Sequence, residues 1–217
     1  TLEVLSGLAA NPNVYGTVII GNNCEGVQAS LLAEKIREKT NKPLETVVIR
    51  EAGGTIKAVE LASRYAAQMS REAGMLEKEA FDISELILGT ECGGSDPTSG
   101  LAANPVLGKV SDKLVELGAT VILSETSELV GTEEVLAPRC KDEATKEKLL
   151  RIIRENEAHF ERAGESLRFG NPSPGNKEGG LTTLEEKSLG CIHKAGESTI
   201  MDVYGYGEMI HSKRLVV

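Results

Sequence analysis

Tryptophan is absent from the 217 residues, and aromatic side chains make up only 3% of them. The core must therefore be assembled mainly from Leu, Ile, Val and Ala, which argues against binding of nucleobases by stacked aromatic faces. Nor is there a block of Lys or Arg. The formal net charge is -9, which leaves no basic stripe to displace counterions from a phosphate backbone, so no nucleic-acid partner is expected. Small anionic ligands stay open, because a few local cations or a metal ion hold a carboxylate inside an acidic protein. No apolar run approaches the roughly 20 residues that span a bilayer, and no signal-peptide pattern stands at Thr1. A soluble, cytoplasmic protein without a membrane partner is expected. Cys24, Cys92, Cys140 and Cys191 form no CxxC pair, and reduced thiols are expected of them. Generic motifs are missing too: the chain has no Walker loop, no GxGxxG opening a helix, no HExxH, no GxSxG and no EF-hand loop.

What is present is an alternation of two hydrophobic periods. YGTVIIG, LETVVIR, SELILG and GATVILSE have the length and β-branched content of strands, and helix-period segments separate them. That order implies an α/β fold with Rossmann-like layering, a mostly parallel sheet with flanking helices. From Lys141 the pattern changes to one long charged helix. RFGNPSPGNKEGG follows, whose Pro and Gly forbid regular structure, then a helix over TTLEEKSLGCIHK capped by Thr182 or Thr183. The expected division is an α/β core over residues 1–140 and a helix-and-loop region over 141–217 packed on the same domain.

In parallel sheets ligands bind beyond the carboxyl ends of the strands. The loops at those ends here are NNCEG, REAGG, TECGGSDPTSG and SETSE. The third belongs to TECGGSDPTSGLAANP, Thr90 to Pro105, a long stretch of small polar residues, Gly and a thiol, where most connections take about 4 to 6 residues. If their strands are neighbours, Cys24 with Glu25, Cys92 with Ser95 and Asp96, and Glu125 with Glu128 converge on one rim. Thiolate and carboxylate ligands suit a transition metal, and open coordination positions polarise a leaving hydroxyl. The same residues serve equally as small packing groups and helix caps. Lys187 and Lys194, seven apart, share a helix face and fit either a substrate carboxylate or solvent. His159, His193 and His211 are read as surface residues.

GNNCEG, CGGSDPTSGLAANP, ILSETSE and NPSPGNKEGGLTTLEEKSLGCIHKAG resemble the signature blocks of the altronate dehydratase and galactarate dehydratase family. The resemblance covers nearly the whole chain. Family members are lyases that remove water from hydroxylated sugar acids to give 2-keto-3-deoxy acids, and they need Fe²⁺ or a similar divalent ion such as Mn²⁺. A sister group expels sulfite from sulfolactate instead. Either reaction needs a base for the alpha proton, a holder for the carboxylate and enolate, and an acid or metal for the leaving group.

The resemblance implies provisional roles. Cys24, Cys92 and Cys191 fall in matching blocks and are the expected metal ligands, with a mononuclear ion preferred to an iron–sulfur cluster. Glu25, Asp96, Glu125 and Lys187 are the expected catalytic groups, with the three carboxylates able to serve as ligand or base. Ser95, Ser99, Asn104, Asn171 and Asn176 are expected to donate hydrogen bonds to a sugar-acid substrate. Family members are considerably longer, so the chain reads as an internal fragment of a lyase. The missing segments, a small partner subunit or further copies of itself would then be its partners. A sulfolactate sulfo-lyase large subunit and an isolated substrate-binding or scaffold domain are the alternatives.

Overall fold

A computed structural model describes all of residues 1–217. Two compact units divide the chain: Thr1–Ala80 with Gly205–Met209, and Phe81–Tyr204 with Ile210–Val217. The α/β class expected from the alternating periods is present in both.

The first unit runs α1 (Leu2–Ala10), β1 (Thr17–Gly21), α2 (Ala29–Lys39), β2 (Leu44–Val48) and α3 (Thr55–Gly74). β1 and β2 pair in parallel as a two-stranded sheet. Its core is small and rich in alanine: Ala9, Ile19, Ala29, Ala33 and Ile36 form one cluster, and Val47 with Ala58 and Ala62 forms another. Such side chains let helices approach the strands closely but bury little area each, so this unit gains modest hydrophobic stabilisation per residue. Gly207 returns the late segment to it. With φ at +85°, its α-carbon lies so near the Glu3 backbone that a Cβ would stand 2.8 Å from the Glu3 carbonyl carbon.

The second unit adds β3 (Ile87–Thr90), α4 (Asn104–Glu116), β4 (Thr120–Leu123), α5 (Glu133–Leu136), α6 (Glu143–Arg162), α7 (Leu167–Gly170), α8 (Pro174–Glu178), α9 (Leu184–Ile192), β5 (Ile200–Asp202) and β6 (Arg214–Val216). Its four strands are all parallel, in the order β3-β4-β6-β5. The two central strands are buried on both faces, and Val121, Leu123, Leu215 and Val216 expose nothing. Leu129, Leu136, Leu149, Ile153 and Ile200 complete that core.

Three expectations need correction. The boundary expected at residue 140 falls inside the second unit, because α6 sends Leu149 and Ile153 into the same core as β4 and β6. RFGNPSPGNKEGG is not irregular throughout: it holds the end of α7 and all of α8. Ser173 caps α8 by accepting from the Asn176 amide, and Pro174 takes the first helical position, where its missing N–H is harmless. The strands also form two sheets rather than one, so β1 and β2 pair only with each other. The long charged helix and the Thr183 cap, by contrast, are found as α6 and α9, with Thr183 accepting from the Glu186 amide.

Candidate functional site

The parallel register of β3 and β4 builds the centre of the site. Thr90 stands opposite Leu123, so the residues two beyond each, Cys92 and Glu125, leave the sheet side by side. The Ser124 hydroxyl donates to the Thr90 carbonyl and the Thr90 hydroxyl to the Ile122 carbonyl at 2.9 Å, tying the two strand ends together. The Cys92 amide then donates to Glu125 Oε2 at 2.9 Å. Glu125 adopts φ +69° and ψ +59°, the left-handed region that only a few per cent of non-glycine residues enter. Such strain costs on the order of 1–3 kcal/mol and concentrates at functional sites. It begins a 3₁₀ turn, Thr126–Glu128, that brings Glu128 beneath the same loop.

The opposite wall comes from α9 and the 3₁₀ turn His193–Ala195 after it. Lys194 is buried, with 1% of its side chain exposed, and donates to Cys92 Sγ at 2.9 Å and Glu125 Oε2 at 2.6 Å. Lys187 pairs with Glu128 Oε1 at 2.8 Å and donates to Asn171 Oδ1 at 3.0 Å. Glu128 Oε2 lies 3.1 Å from Cys92 Sγ. Ligating atoms of Cys92, Glu125, Glu128 and Cys191 all lie within 4.8 Å of one another. Two thiols, two carboxylates and two ammonium groups thus share one centre.

Charge within that centre is sorted by its contacts. The Cys191 thiol, outweighing burial and aided by the Lys194 ammonium and Ser95, holds the Cys92 thiol down at about 7. Its bond to Cys92 and its burial push Cys191 up, so of the two thiols Cys92 ionises first. Burial pulls the Lys194 ammonium down, yet its bonds to Cys92 and Glu125 outweigh that and raise it. Burial likewise raises the Glu128 carboxyl, but Lys187 and the two thiols leave it below its ordinary value.

Beside the centre opens a cavity of about 240 Å³, to which Cys92, Cys191, Lys187 and His193 contribute with Ser95, Asp96, Ser99 and Asn104. That volume suits a small molecule, below the ~300–1,000 Å³ of drug-sized pockets. The loop that forms much of its wall passes through one π-helical turn, Ser99–Ala103, into α4. Gly100 and Gly190 touch there: a Cβ on either would lie 3.1 or 3.2 Å from the other's α-carbon.

The structure therefore brings together Cys92, Cys191, Glu125 and Lys187, while several other predicted residues are held in braces. Asp96 accepts from the Thr98 hydroxyl at 2.6 Å and the Ser99 amide at 3.0 Å, which lowers its carboxyl below the ordinary value. The Ser99 hydroxyl in turn accepts from the Asp96 amide at 3.3 Å. Asn104 Nδ2 donates to the Gly190 carbonyl and Asn176 Nδ2 to the Ser95 carbonyl, each at 2.9 Å. Asn171 serves Lys187. Cys24 and Glu25 belong to the first unit, where Glu25 accepts from the Asn22 and Cys24 amides and closes its own loop. Glu128 and Lys194, expected only as companions of Glu125 and Lys187, stand in the centre itself, and His193, read as a surface residue, is exposed on the cavity wall. The signal for Lys194 was its seven-residue spacing from Lys187, and for Glu128 its place in ILSETSE.

Residues 83–217 match the C-terminal domain model of D-galactarate/altronate dehydratase, and residues 1–74 match the second domain of D-galactarate dehydratase/altronate hydrolase. The chain belongs to the galactarate/altronate dehydratase family. It is 36% identical over 99% of its length to altronate dehydratase of Escherichia coli, and 34% identical over its whole length to that of Bacillus subtilis. Over 92% of its length it is 40% identical to the (2R)-sulfolactate sulfo-lyase subunit beta of Chromohalobacter salexigens. It spans 43% of each altronate dehydratase and 51% of the sulfo-lyase subunit. The two family domains meet between residues 74 and 83, where the two compact units also divide. No helix is long and apolar enough to cross a membrane.

Proposed function

We propose that this chain supplies the centre of a lyase that eliminates water from a hydroxylated sugar acid of the altronate or galactarate type, giving a 2-keto-3-deoxy acid. The observation that carries this reading is the cluster of two thiols, two carboxylates and two ammonium groups beside a cavity of small-molecule size. Elimination next to a carboxylate needs cations for the enolate and a group to take the alpha proton, and both are at hand.

The donor set suits a divalent ion of iron or manganese type. Four sulfur and oxygen atoms fall within the span of one ion, and mixed thiolate and carboxylate ligation suits borderline metals. Cys92, Cys191, Glu125 and Glu128 would hold it, and no role is given to Cys24. Such an ion supplies Lewis acidity toward the leaving hydroxyl. As a ligand Cys191 would be a thiolate, its proton given up to solvent.

On the cavity wall, Lys187 has donated two N–H groups to Glu128 and Asn171 and keeps a third for the substrate carboxylate. His193 is exposed on the same wall and takes the alpha proton at an imidazole nitrogen; Asp96 and Glu186, also on that wall, already accept from Thr98, Ser99 and Thr182. Lys194 sits behind the cluster, where its charge stabilises the Cys92 thiolate and any enolate negative charge that develops in front of it.

The 40% identity to a sulfo-lyase subunit favours a second reading in which sulfite leaves and a small partner subunit completes the enzyme. The deciding experiment incubates the full-length protein anaerobically with iron or manganese and altronate, galactarate or sulfolactate. A keto acid from a sugar acid without sulfite supports the first reading; sulfite release from sulfolactate supports the second. No product from any of the three, with metal bound, rejects both.

A further inference from the structure

We propose that Cys92 and Cys191 form a dithiol that hydroperoxides oxidise to a reversible disulfide. Both are free thiols, their sulfurs lie within 4.8 Å of each other, and both residues line the cavity; Cys92 is half-buried, so a small oxidant reaches it from solvent. A disulfide needs sulfurs about 2.05 Å apart, so one residue must advance. Cys191 is buried in α9, but Cys92 is followed by Gly93 and Gly94, both exposed and with nothing within 4 Å of where a Cβ would stand. The free side of the loop is therefore the side that closes.

The chemistry balances with a hydroperoxide as oxidant. The Cys92 sulfur, whose anion the Lys194 ammonium stabilises at 2.9 Å, attacks the terminal peroxide oxygen. The O–O bond breaks, Cys92 becomes a sulfenic acid, and the departing oxygen takes a proton from solvent and leaves as water or an alcohol. The Cys191 sulfur then attacks the Cys92 sulfur, the S–O bond breaks, and the Cys191 proton leaves with that oxygen as a second water. Two electrons pass from the sulfurs to the peroxide. Closure withdraws two sulfur donors from the cluster and draws Cys92 away from Lys194, so the centre stays off until a thiol reductant reopens it. This inference does not depend on which substrate the enzyme takes.

The test is made on the full-length protein, one portion as purified and one treated with a chelator. Each receives one equivalent of hydrogen peroxide, is quenched by alkylation, and is mapped by mass spectrometry with and without dithiothreitol. A Cys92–Cys191 linked peptide in either portion, lost on reduction and unchanged in yield in Cys140→Ser, is the expected result. Cys191→Ser should stop at the Cys92 sulfenic acid, trapped by dimedone and without a link, and reach the sulfinic acid only when a second equivalent of peroxide is added. Wild-type protein that leaves both thiols alkylated, links Cys92 elsewhere, or oxidises Cys92 to sulfinic acid with no linked peptide overturns the proposal, whether or not the variant folds.

Discussion

Gly108 of α4 lies against the carbonyl oxygen of His193 so closely that a Cβ at position 108 would stand 2.1 Å from it. The same helix reaches the next residues as well. Ser111 donates to the Lys194 carbonyl at 2.7 Å, and Asp112 accepts from the Glu197 and Ser198 amides. From the other side, Arg139 donates to the Ala195 and Ser198 carbonyls. The turn that carries His193 and Lys194 is thus cast on α4, and its geometry depends on backbone contacts remote from the cluster.

Gly108→Ala must displace that turn, because the obstructing atom is main chain and cannot rotate away. Overpacking of this kind costs typically 1–3 kcal/mol. A larger effect is expected on turnover, since Lys194 and His193 move with the turn. Denaturant unfolding and steady-state kinetics on the full-length protein, beside a core variant of equal stability loss such as Leu149→Val, check this. Equal activity in the two variants would remove the link between α4 and the site.

Cys92, held near 7, is expected to alkylate at a rate that is half-maximal at about pH 7 in metal-free protein, with the thiolate fraction falling to roughly one-tenth at pH 6. The sign follows from the anion being the nucleophile: a lowered value means faster reaction at neutral pH. Lys194→Met removes one of the groups that lower it, so its midpoint should move upward. Quantifying modified Cys92 by mass spectrometry across pH gives both curves. A midpoint near that of an ordinary thiol in the unsubstituted protein would contradict the charge arrangement described.

Asp96 was expected in a catalytic role, and the structure gives it a bracing one. The Thr98 hydroxyl and Ser99 amide bind its Oδ1, so Asp96→Asn keeps an acceptor in place while Asp96→Ala leaves the turn open. Losing a hydrogen bond of this kind costs about 1 kcal/mol, and a melting point lower by about 2–4 °C is expected for Ala. The Asn variant should retain most activity; its complete inactivation with unchanged stability would return Asp96 to the chemistry.

Periodicity and strand-exit logic made the elements, Cys92, Glu125 and Lys187 legible, because each depends on local pattern. The remainder depended on pairings across long stretches of chain. Nothing local to Lys194 says that its ammonium is buried against Cys92, and nothing near Asn104 says that its amide bridges to Gly190. Pro and Gly in NPSPGN read as breakers, although Ser173 and Pro174 are also a helix-start signal. The alternation of strands and helices runs on from the first unit into the second, so no change of period marks the division near residue 80.

The pair Lys187–Glu128 offers the sharpest test of the centre's electrostatics. Both side chains are almost wholly buried, 11% and 9% exposed, and they bond at 2.8 Å. Removing one partner strands the other charge in a low-dielectric site, and such losses are about 3–5 kcal/mol. Lys187→Met and Glu128→Gln should each destabilise by that order, while the double variant should lose less than their sum, because no unpaired charge is left. The pH dependence has a definite sign. The Glu128 carboxyl is lowered on folding, so its contribution is complete above the ordinary carboxylate range and is lost as pH falls through its folded value. Glu128→Gln should therefore flatten the acid limb of the stability profile measured by urea unfolding from pH 7 down to about 2. Additive losses in the double variant, with an unchanged acid limb, would show that the two groups do not act as a pair.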